Sequence, residues 1–182
     1  SFVSRLLGAL SVLVPGSAVS AAMPIQTTKT PNSLSVGRRY VTGVDATGRS
    51  SIVDVGDVPA SVRWKSAVAE GFDFWVVNEL PAPLLEAANP TPSWKGGNRA
   101  PPGGVIGRIG TWAPGFQYPM HTTPTLDFIV VLSGQLELGL ENGTQLLGPG
   151  DVLVQRATPH RWRNPGPEPC TIVGILIDAA RT

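Results

Sequence analysis

Short apolar segments separated by glycine and proline run through most of this chain, and they limit what it can fold into. The 182 residues contain 21 glycines and 18 prolines, spread among apolar runs without a repeat period. Proline lacks an amide donor and glycine has little conformational preference, so long helices are disfavoured in such a sequence. The pattern instead predicts an all-β domain of short antiparallel strands, arranged as a barrel or a sandwich.

The predicted strands cluster in two parts of the chain. An N-terminal β-hairpin is expected at 39–44 and 51–55, around the turn residues 45–48. The strands expected after it are 72–80, 105–112, 125–132, 135–140, 151–155, 160–163 and 171–178. No glycine-rich phosphate loop precedes a helix and no strands alternate with helices, which argues against nucleotide-binding folds.

One long segment, residues 81–104, is expected to lack regular structure because it holds six prolines and four glycines. A loop of this length in a compact domain is often a lid or an arm on a neighbouring subunit. Trp94 within it is expected to be an exposed aromatic side chain. Short helical turns are expected beside it, at 68–70 and 84–88.

The charge balance predicts a small-molecule partner. Fourteen basic and 13 acidic residues leave a formal net charge of +1, so no electrostatic field favours nucleic acid or an anionic membrane. The single cysteine, Cys170, excludes an internal disulfide and is expected to be a small core residue.

The N-terminal residues 1–37 are treated as an extension of the domain at 38–180. Residues 1–22 resemble a secretory signal, with Arg5, an apolar stretch and a run of small residues. Other readings of the same segment are an upstream extension or added sequence. The expected location is the cytoplasm, or outside the cell if residues 1–22 act as a signal.

Only two histidines occur, His121 and His160, and both lie in the densest strand region. Alternate side chains of a strand share a face, so Asp127 shares a face with Ile129, and His160 with Trp162. If these faces both line a barrel interior, the two histidines and Asp127 converge there.

These segments resemble the two motifs of the cupin superfamily. Residues 115–134 are similar to the first motif, in which a Gly is followed by His-x-His, an acidic residue and a Gly. Residues 148–164 are similar to the second, built on Pro149-Gly-Asp, His160 and Asn164. Thr123 stands where the family has its second His, Asp127 replaces Glu, and Gln155-Arg156-Ala157 replaces Pro-x-Gly.

The resemblance implies a single jelly-roll (double-stranded β-helix) barrel of the small cupin-2 type, a homodimer, and an enzyme acting on a small organic molecule. One reading is a reduced site for Fe, Mn, Ni or Zn on His121, Asp127 and His160, in a lyase, decarboxylase or oxygenase. Another is a metal-free isomerase, dehydratase or cyclase in which His121 or His160 moves a proton. A third is a non-catalytic binding or sensing barrel. The expected substrate-binding residues are Trp162, Arg108, Tyr118 and Thr123.

Overall fold

A computed structural model describes residues 38–57, 62–83 and 91–180 of the chain. Within them, nearly all regular structure is β-strand, and the expected all-β architecture with an N-terminal hairpin is confirmed. The signal-like segment 1–22, the rest of the extension to residue 37 and the helical turn expected at 84–88 lie outside the described residues. No transmembrane helix occurs in the part of the chain that the structure describes.

The first sheet has six strands in the order β10-β7-β12-β5-β4-β3, and every neighbouring pair is antiparallel. These strands are β3 (Arg63–Lys65), β4 (Ala69–Val77), β5 (Val105–Trp112), β7 (Thr125–Ser133), β10 (Val152–Arg156) and β12 (Cys170–Asp178). The long strand β12 pairs along its length with β5 on one side and β7 on the other. It therefore holds the centre of the sheet.

The second sheet has four strands in the order β6-β11-β8-β9. They are β6 (Gln117–His121), β8 (Leu136–Leu140), β9 (Gly143–Leu147) and β11 (His160–Arg163). The turn from β7 to β8 needs a glycine at 134. Its φ is +74°, and a Cβ there would come within 2.5 Å of the Pro169 carbonyl oxygen.

A separate hairpin is formed by β1 (Arg39–Val44) and β2 (Ser50–Gly56). Arg39 bonds Asp54 within the hairpin at 2.6 Å and lies over the ring of Trp75 at 5.7 Å. Arg39 thus links the hairpin to β4.

The core lies between the two sheets, as the alternation of the strands predicts. Along β7, Asp127, Ile129 and Val131 are buried, whereas Phe128 and Leu132 are 40% and 49% exposed. Phe116, Leu136 and Leu138 are buried against Val131 in the largest apolar cluster. Burial of each such side chain stabilises the fold by roughly 1.5–3 kcal/mol.

The outer face of β7 and β10 stays apolar and exposed, with Phe128, Leu132, Val152 and Val154 at 40–65% exposure. A second subunit on this face would remove it from water, and the homodimer stays a prediction.

Two expectations about local structure were wrong. Residues 68–70 were expected to form a helical turn, but β4 begins at Ala69 and pairs with β5 from that residue on. Trp94 was expected to be exposed. It follows a short 3-10 helix, Thr91–Ser93, and its indole is half-buried against two apolar clusters.

Candidate active site

The two histidines are brought together by strand pairing. His121 ends β6, His160 begins β11, and the two residues are direct partners in the antiparallel register. Side chains opposite each other on one face of a sheet lie within contact distance. The ring centroids of His121 and His160 are accordingly 4.2 Å apart, with 53° between the ring planes.

Both imidazoles are held in the same tautomer by backbone carbonyls. His121 Nδ1 lies 2.9 Å from the Pro119 carbonyl oxygen, and His160 Nδ1 lies 2.8 Å from that of Thr158. A carbonyl oxygen only accepts hydrogen bonds, so each Nδ1 must carry a hydrogen and donate it. In its neutral form each ring therefore presents a lone pair at Nε2.

Burial sets the protonation of His160, which is only 2% exposed. Loss of hydration lowers the pKa of this imidazole below its ordinary value, and a charge on His121 lowers it further. The hydrogen bond to the Thr158 carbonyl acts in the opposite direction and is outweighed. His160 is thus a neutral base near pH 7.

Asp127 lies on the wall of the same cavity and is 6% exposed. Burial raises the pKa of its carboxyl group, against the opposing effects of the Thr125 hydroxyl and the charges of Arg108 and His121. Its Oδ1 atom has no hydrogen-bond partner among the described residues.

The histidines face a cavity of about 560 Å³ between the two sheets. Its apolar wall is aromatic: Trp112 stacks on Phe116 with centroids 5.1 Å apart and lies 6.0 Å from Trp162. Trp162 in turn meets His160 edge-on at 5.1 Å. A cavity with this wall suits a planar or largely apolar molecule.

Of the residues expected to bind substrate, Trp162, Arg108, Tyr118 and Thr123 all line this cavity. Tyr118 meets His121 edge-on with centroids 4.6 Å apart. Arg108 differs from the expectation in one respect, because its guanidinium already has an ionic partner. It bonds the buried carboxylate of Asp73 at 2.9 Å and the Gly97 carbonyl oxygen at 2.8 Å.

Asp73 is a residue that the sequence reading missed. It is fully buried and also accepts a hydrogen bond from the Trp94 indole at 2.7 Å. Asp73 and Arg108 therefore fasten the segment that carries Lys95 and Asn98, both of which line the cavity. Asp73 is the one carboxylate within the apolar run Phe72–Val77 of β4, and this was the signal available in the sequence.

The metal set of His121, Asp127 and His160 stays a prediction. Within the described ranges, no three His, Cys, Asp or Glu side chains are placed to hold one metal. The donors that do converge are two imidazoles. They are two of the three residues of the reduced metal site that the cupin resemblance implies.

Comparisons with known proteins agree with this picture of the fold. The family model of the cupin domain matches residues 108–176. The cupin-domain-containing oxidoreductase fogC of Aspergillus ruber is 30% identical over 158 residues, covering 77% of this chain and 71% of that protein. The cupin-domain-containing oxidoreductase srdB of Neurospora crassa is 34% identical over 149 residues, covering 77% and 72%.

A third relative is the oryzines biosynthesis cluster protein J of Aspergillus oryzae. It is 39% identical over 117 residues, covering 59% of this chain and 64% of the relative. The chain thus spans about two thirds of the length of these relatives.

Proposed function

The chain belongs to the cupin family, and from that premise we propose that it is an enzyme that moves protons on a small, largely apolar organic molecule. The observation that carries the proposal is the His121–His160 pair, with both Nδ1 atoms bonded to backbone carbonyls in the wall of an aromatic cavity. A relative named as a biosynthesis cluster protein supports a role in biosynthesis.

The proposed chemistry uses the two Nε2 atoms. Neutral His160 takes a proton from an acidic C–H or O–H group of the substrate, so that this bond breaks and an N–H bond forms. His121, which is less buried, starts the step as the imidazolium and supplies its Nε2 proton to a second atom of the substrate, which leaves this ring neutral. The substrate then rearranges a double bond or loses water. No net oxidation takes place, and the pair returns to its starting charge after proton exchange with solvent.

The other residues bind and orient. Trp112 and Trp162 supply apolar surface against which a flat substrate packs, and they exclude water from the imidazoles. Tyr118 contacts His121 by its ring edge and restricts that imidazole to one orientation. Positioning of this kind is what makes a weak base effective.

The test is exchange of substrate hydrogen in D₂O. The purified protein is incubated with a panel of aryl ketones that have acidic α-hydrogens, with 2-tetralone as the first member, and deuterium uptake is followed by mass spectrometry. We expect exchange about 100-fold faster than in buffer, with most of the gain lost in His160→Ala. Phe128→Ala, on the outer face of β7, is the matched control. Uptake at the buffer rate throughout the panel would contradict the proposal.

A second candidate is a metal-dependent enzyme, favoured by one specific observation. Histidines that bind metals commonly donate their other ring nitrogen to a carbonyl or carboxylate, and both histidines here do so. His121 and His160 would together hold one Fe, Mn, Ni or Zn ion through their Nε2 atoms. The ion would supply Lewis-acid or redox chemistry when bound.

Metal content separates the two candidates. Protein purified without chelator should contain about one equivalent of a transition metal if the second candidate holds, and His160→Ala should lose it. Less than about a tenth of an equivalent in both proteins would reject it. Asp127→Ala should weaken metal affinity about ten-fold or more if its carboxylate is a ligand.

A further inference from the structure

The charged side chains that line the cavity do not cancel one another. Besides the two histidines they are Arg63, Lys95, Arg108 and Asp127. The Arg108 guanidinium is already paired with the buried carboxylate of Asp73 at 2.9 Å. Burial raises the pKa of the Asp127 carboxyl group and so disfavours its negative charge. The charges that remain uncompensated on this lining are therefore positive.

Arg63 borders the cavity, but its guanidinium lies on the other side of the sheet. It is 5.6 Å from the centre of the Phe72 ring, and Arg63 and Phe72 are direct register partners. Asp73, next to Phe72 in β4, points to Arg108 on the cavity side, and neighbouring side chains of a strand point to opposite faces. Lys95 is thus the one lysine or arginine whose charge is left to the cavity, and none of the ion pairs within the described ranges involves it.

The main chain on either side of Lys95 is held by the barrel wall. The Trp94 indole donates a hydrogen bond to Asp73 at 2.7 Å, and the Gly97 carbonyl oxygen accepts one from Arg108 at 2.8 Å. Lys95 itself is exposed, so it belongs to the part of the lining that is in contact with solvent. A cation anchored in this way attracts an anionic group to the cavity opening without reordering the backbone.

Two glycines next to Lys95 add main-chain donors. Gly96 and Gly97 line the cavity, and because glycine has no side chain, the wall at these positions consists of main-chain atoms. Neither amide N–H donates a hydrogen bond to another described residue. Gly96 has a φ of +82°, and a Cβ added there would meet nothing within 4 Å. The surface at Gly96 is therefore open to an incoming group.

We propose that Lys95 and the amides of Gly96 and Gly97 bind a carboxylate group of the substrate, and that the substrate is a planar, largely apolar carboxylic acid. This inference rests on the proposed function and names the substrate class of the same cavity. The ammonium and N–H groups donate hydrogen bonds, and a carboxylate accepts them. One uncompensated positive charge matches one negative charge, and the aromatic wall of Trp112 and Trp162 takes the ring.

The experiment compares two probes of nearly equal shape, 2-naphthoate and 2-naphthamide, titrated into the full chain at neutral pH and followed through the tryptophan indole N–H signals by NMR. The probes differ by one negative charge. We expect wild type to bind 2-naphthoate about five-fold more tightly, the effect of one charge-assisted contact at a partly exposed site. The preference should shrink in about 0.5 M NaCl, because salt screens exposed charges.

Lys95→Met keeps the approximate length of the side chain and removes its charge. It should abolish the preference for 2-naphthoate and leave the affinity for 2-naphthamide unchanged, whereas Lys95→Arg should retain the preference. Lys65→Met is the matched control, because Lys65 is also an exposed lysine but is not among the described residues that line the cavity. The preference for 2-naphthoate should persist in this variant.

Equal affinity of wild type for the two probes would overturn the proposal. An unchanged preference in Lys95→Met would overturn it as well. An equal loss of the preference in Lys65→Met would also count against it, because the net charge of the protein, and not this segment, would then attract the anion.

Binding is measured without turnover, so a negative result leaves the proton-transfer proposal to be judged by its own exchange experiment. Conversely, failure of hydrogen exchange together with a clear preference for 2-naphthoate would leave a cavity that binds aromatic carboxylates without acid–base chemistry. The two proposals therefore fail in distinguishable ways.

Discussion

His121 and His160 are cross-strand partners whose ring centroids lie 4.2 Å apart, and each ring is oriented by the carbonyl two residues before it in the chain. Two imidazoles at this separation cannot both carry a positive charge without strong repulsion. Because His160 is the more deeply buried ring, its neutral form is the one that the fold favours. This difference in burial assigns His160 as the ring that accepts a proton from the substrate and His121 as the ring that donates one.

The pH dependence of substrate hydrogen exchange should reveal that His160 keeps its neutral form to lower pH than an ordinary histidine. Activity needs neutral His160, and burial lowers the pKa of this imidazole. The rate should therefore stay high on acidification past about 6.5, the ordinary value for histidine, and fall only at lower pH. In His121→Ala the like charge is absent, so the residual activity should fall at a higher pH than in wild type. A profile of kcat/KM against pH for 2-tetralone exchange measures both, and an acidic limb above pH 6.5 in wild type would contradict the expectation.

Asp127→Asn should raise thermal stability at neutral pH. The pKa of the Asp127 carboxyl is raised in the folded protein because burial disfavours its charge. A raised carboxyl pKa means that ionisation costs stability once the pH exceeds the unfolded value near 3.8. The amide avoids that cost, so Tm at pH 7 should rise by a few degrees.

The gain from Asp127→Asn should shrink as the pH falls towards the unfolded value near 3.8, because the Asp127 carboxyl is then increasingly protonated in both the folded and the unfolded state. Calorimetric scans of wild type and Asp127→Asn at pH 7 and pH 4 measure whether the variant has the higher Tm and whether the difference shrinks at the lower pH. A variant less stable than wild type at pH 7 would show that the charges of Arg108 and His121 outweigh burial.

Asp73→Ala should destabilise the domain severely. The change removes the partner of the half-buried Arg108 guanidinium and of the Trp94 indole N–H. Breaking a buried ion pair from one side costs about 3–5 kcal/mol. Lys65→Ala removes an ion pair with Glu70 from a lysine that is 77% exposed, and it should change stability by about 0.5 kcal/mol or less. Urea unfolding of the two variants and wild type makes the comparison; similar midpoints for both variants would refute the structural role of Asp73.

Ala157→Gly should stabilise the fold. Ala157 has a φ of +53°, a conformation that costs a residue with a Cβ about 1–2 kcal/mol. Glycine removes that strain but loses more entropy on folding, by roughly 0.5–1 kcal/mol, so the net gain should be about 0.5–1 kcal/mol. Ala113→Gly lies at a position without a positive φ and should instead destabilise. Chemical denaturation measures both, and loss of stability in Ala157→Gly would show that the methyl group makes a compensating contact.

Strand alternation was enough to predict the part of the site that lies on regular strands. The spacing of Asp127, Ile129 and Val131 predicted their common inward face, and that of His160 and Trp162 did the same for β11. The bounds of β5 and β11 were also predicted as the structure has them. In these strands one face is buried in the core and the other is exposed, so apolar or buried side chains alternate with exposed ones and the strand can be recognised from its sequence.

Three strands, β3, β6 and β9, were not predicted from the sequence. In these strands buried and exposed residues do not alternate over enough positions to be recognised. In β6 the four residues before His121 are all exposed and include Pro119, and in β9 only Leu147 is buried. The three-residue β3 is too short to show alternation. The link from Asp73 to Arg108 depends on the register of β4 and β5, which no local signal determines.

Attachment of the segment 94–97 to the barrel has a consequence for how cupins of this kind can diversify. Trp94 is bonded to Asp73 and Gly97 is bonded to Arg108, so the segment is pinned at both ends by groups that belong to the barrel wall. The side chain of Lys95 lines the cavity but takes no part in that attachment, whereas Asn98 donates a hydrogen bond to the Tyr118 hydroxyl at 3.4 Å. Position 95 is therefore the one of the two at which a substitution can change the cavity lining while these bonds are kept, and it is a site where duplicated copies of such a gene can acquire new substrates.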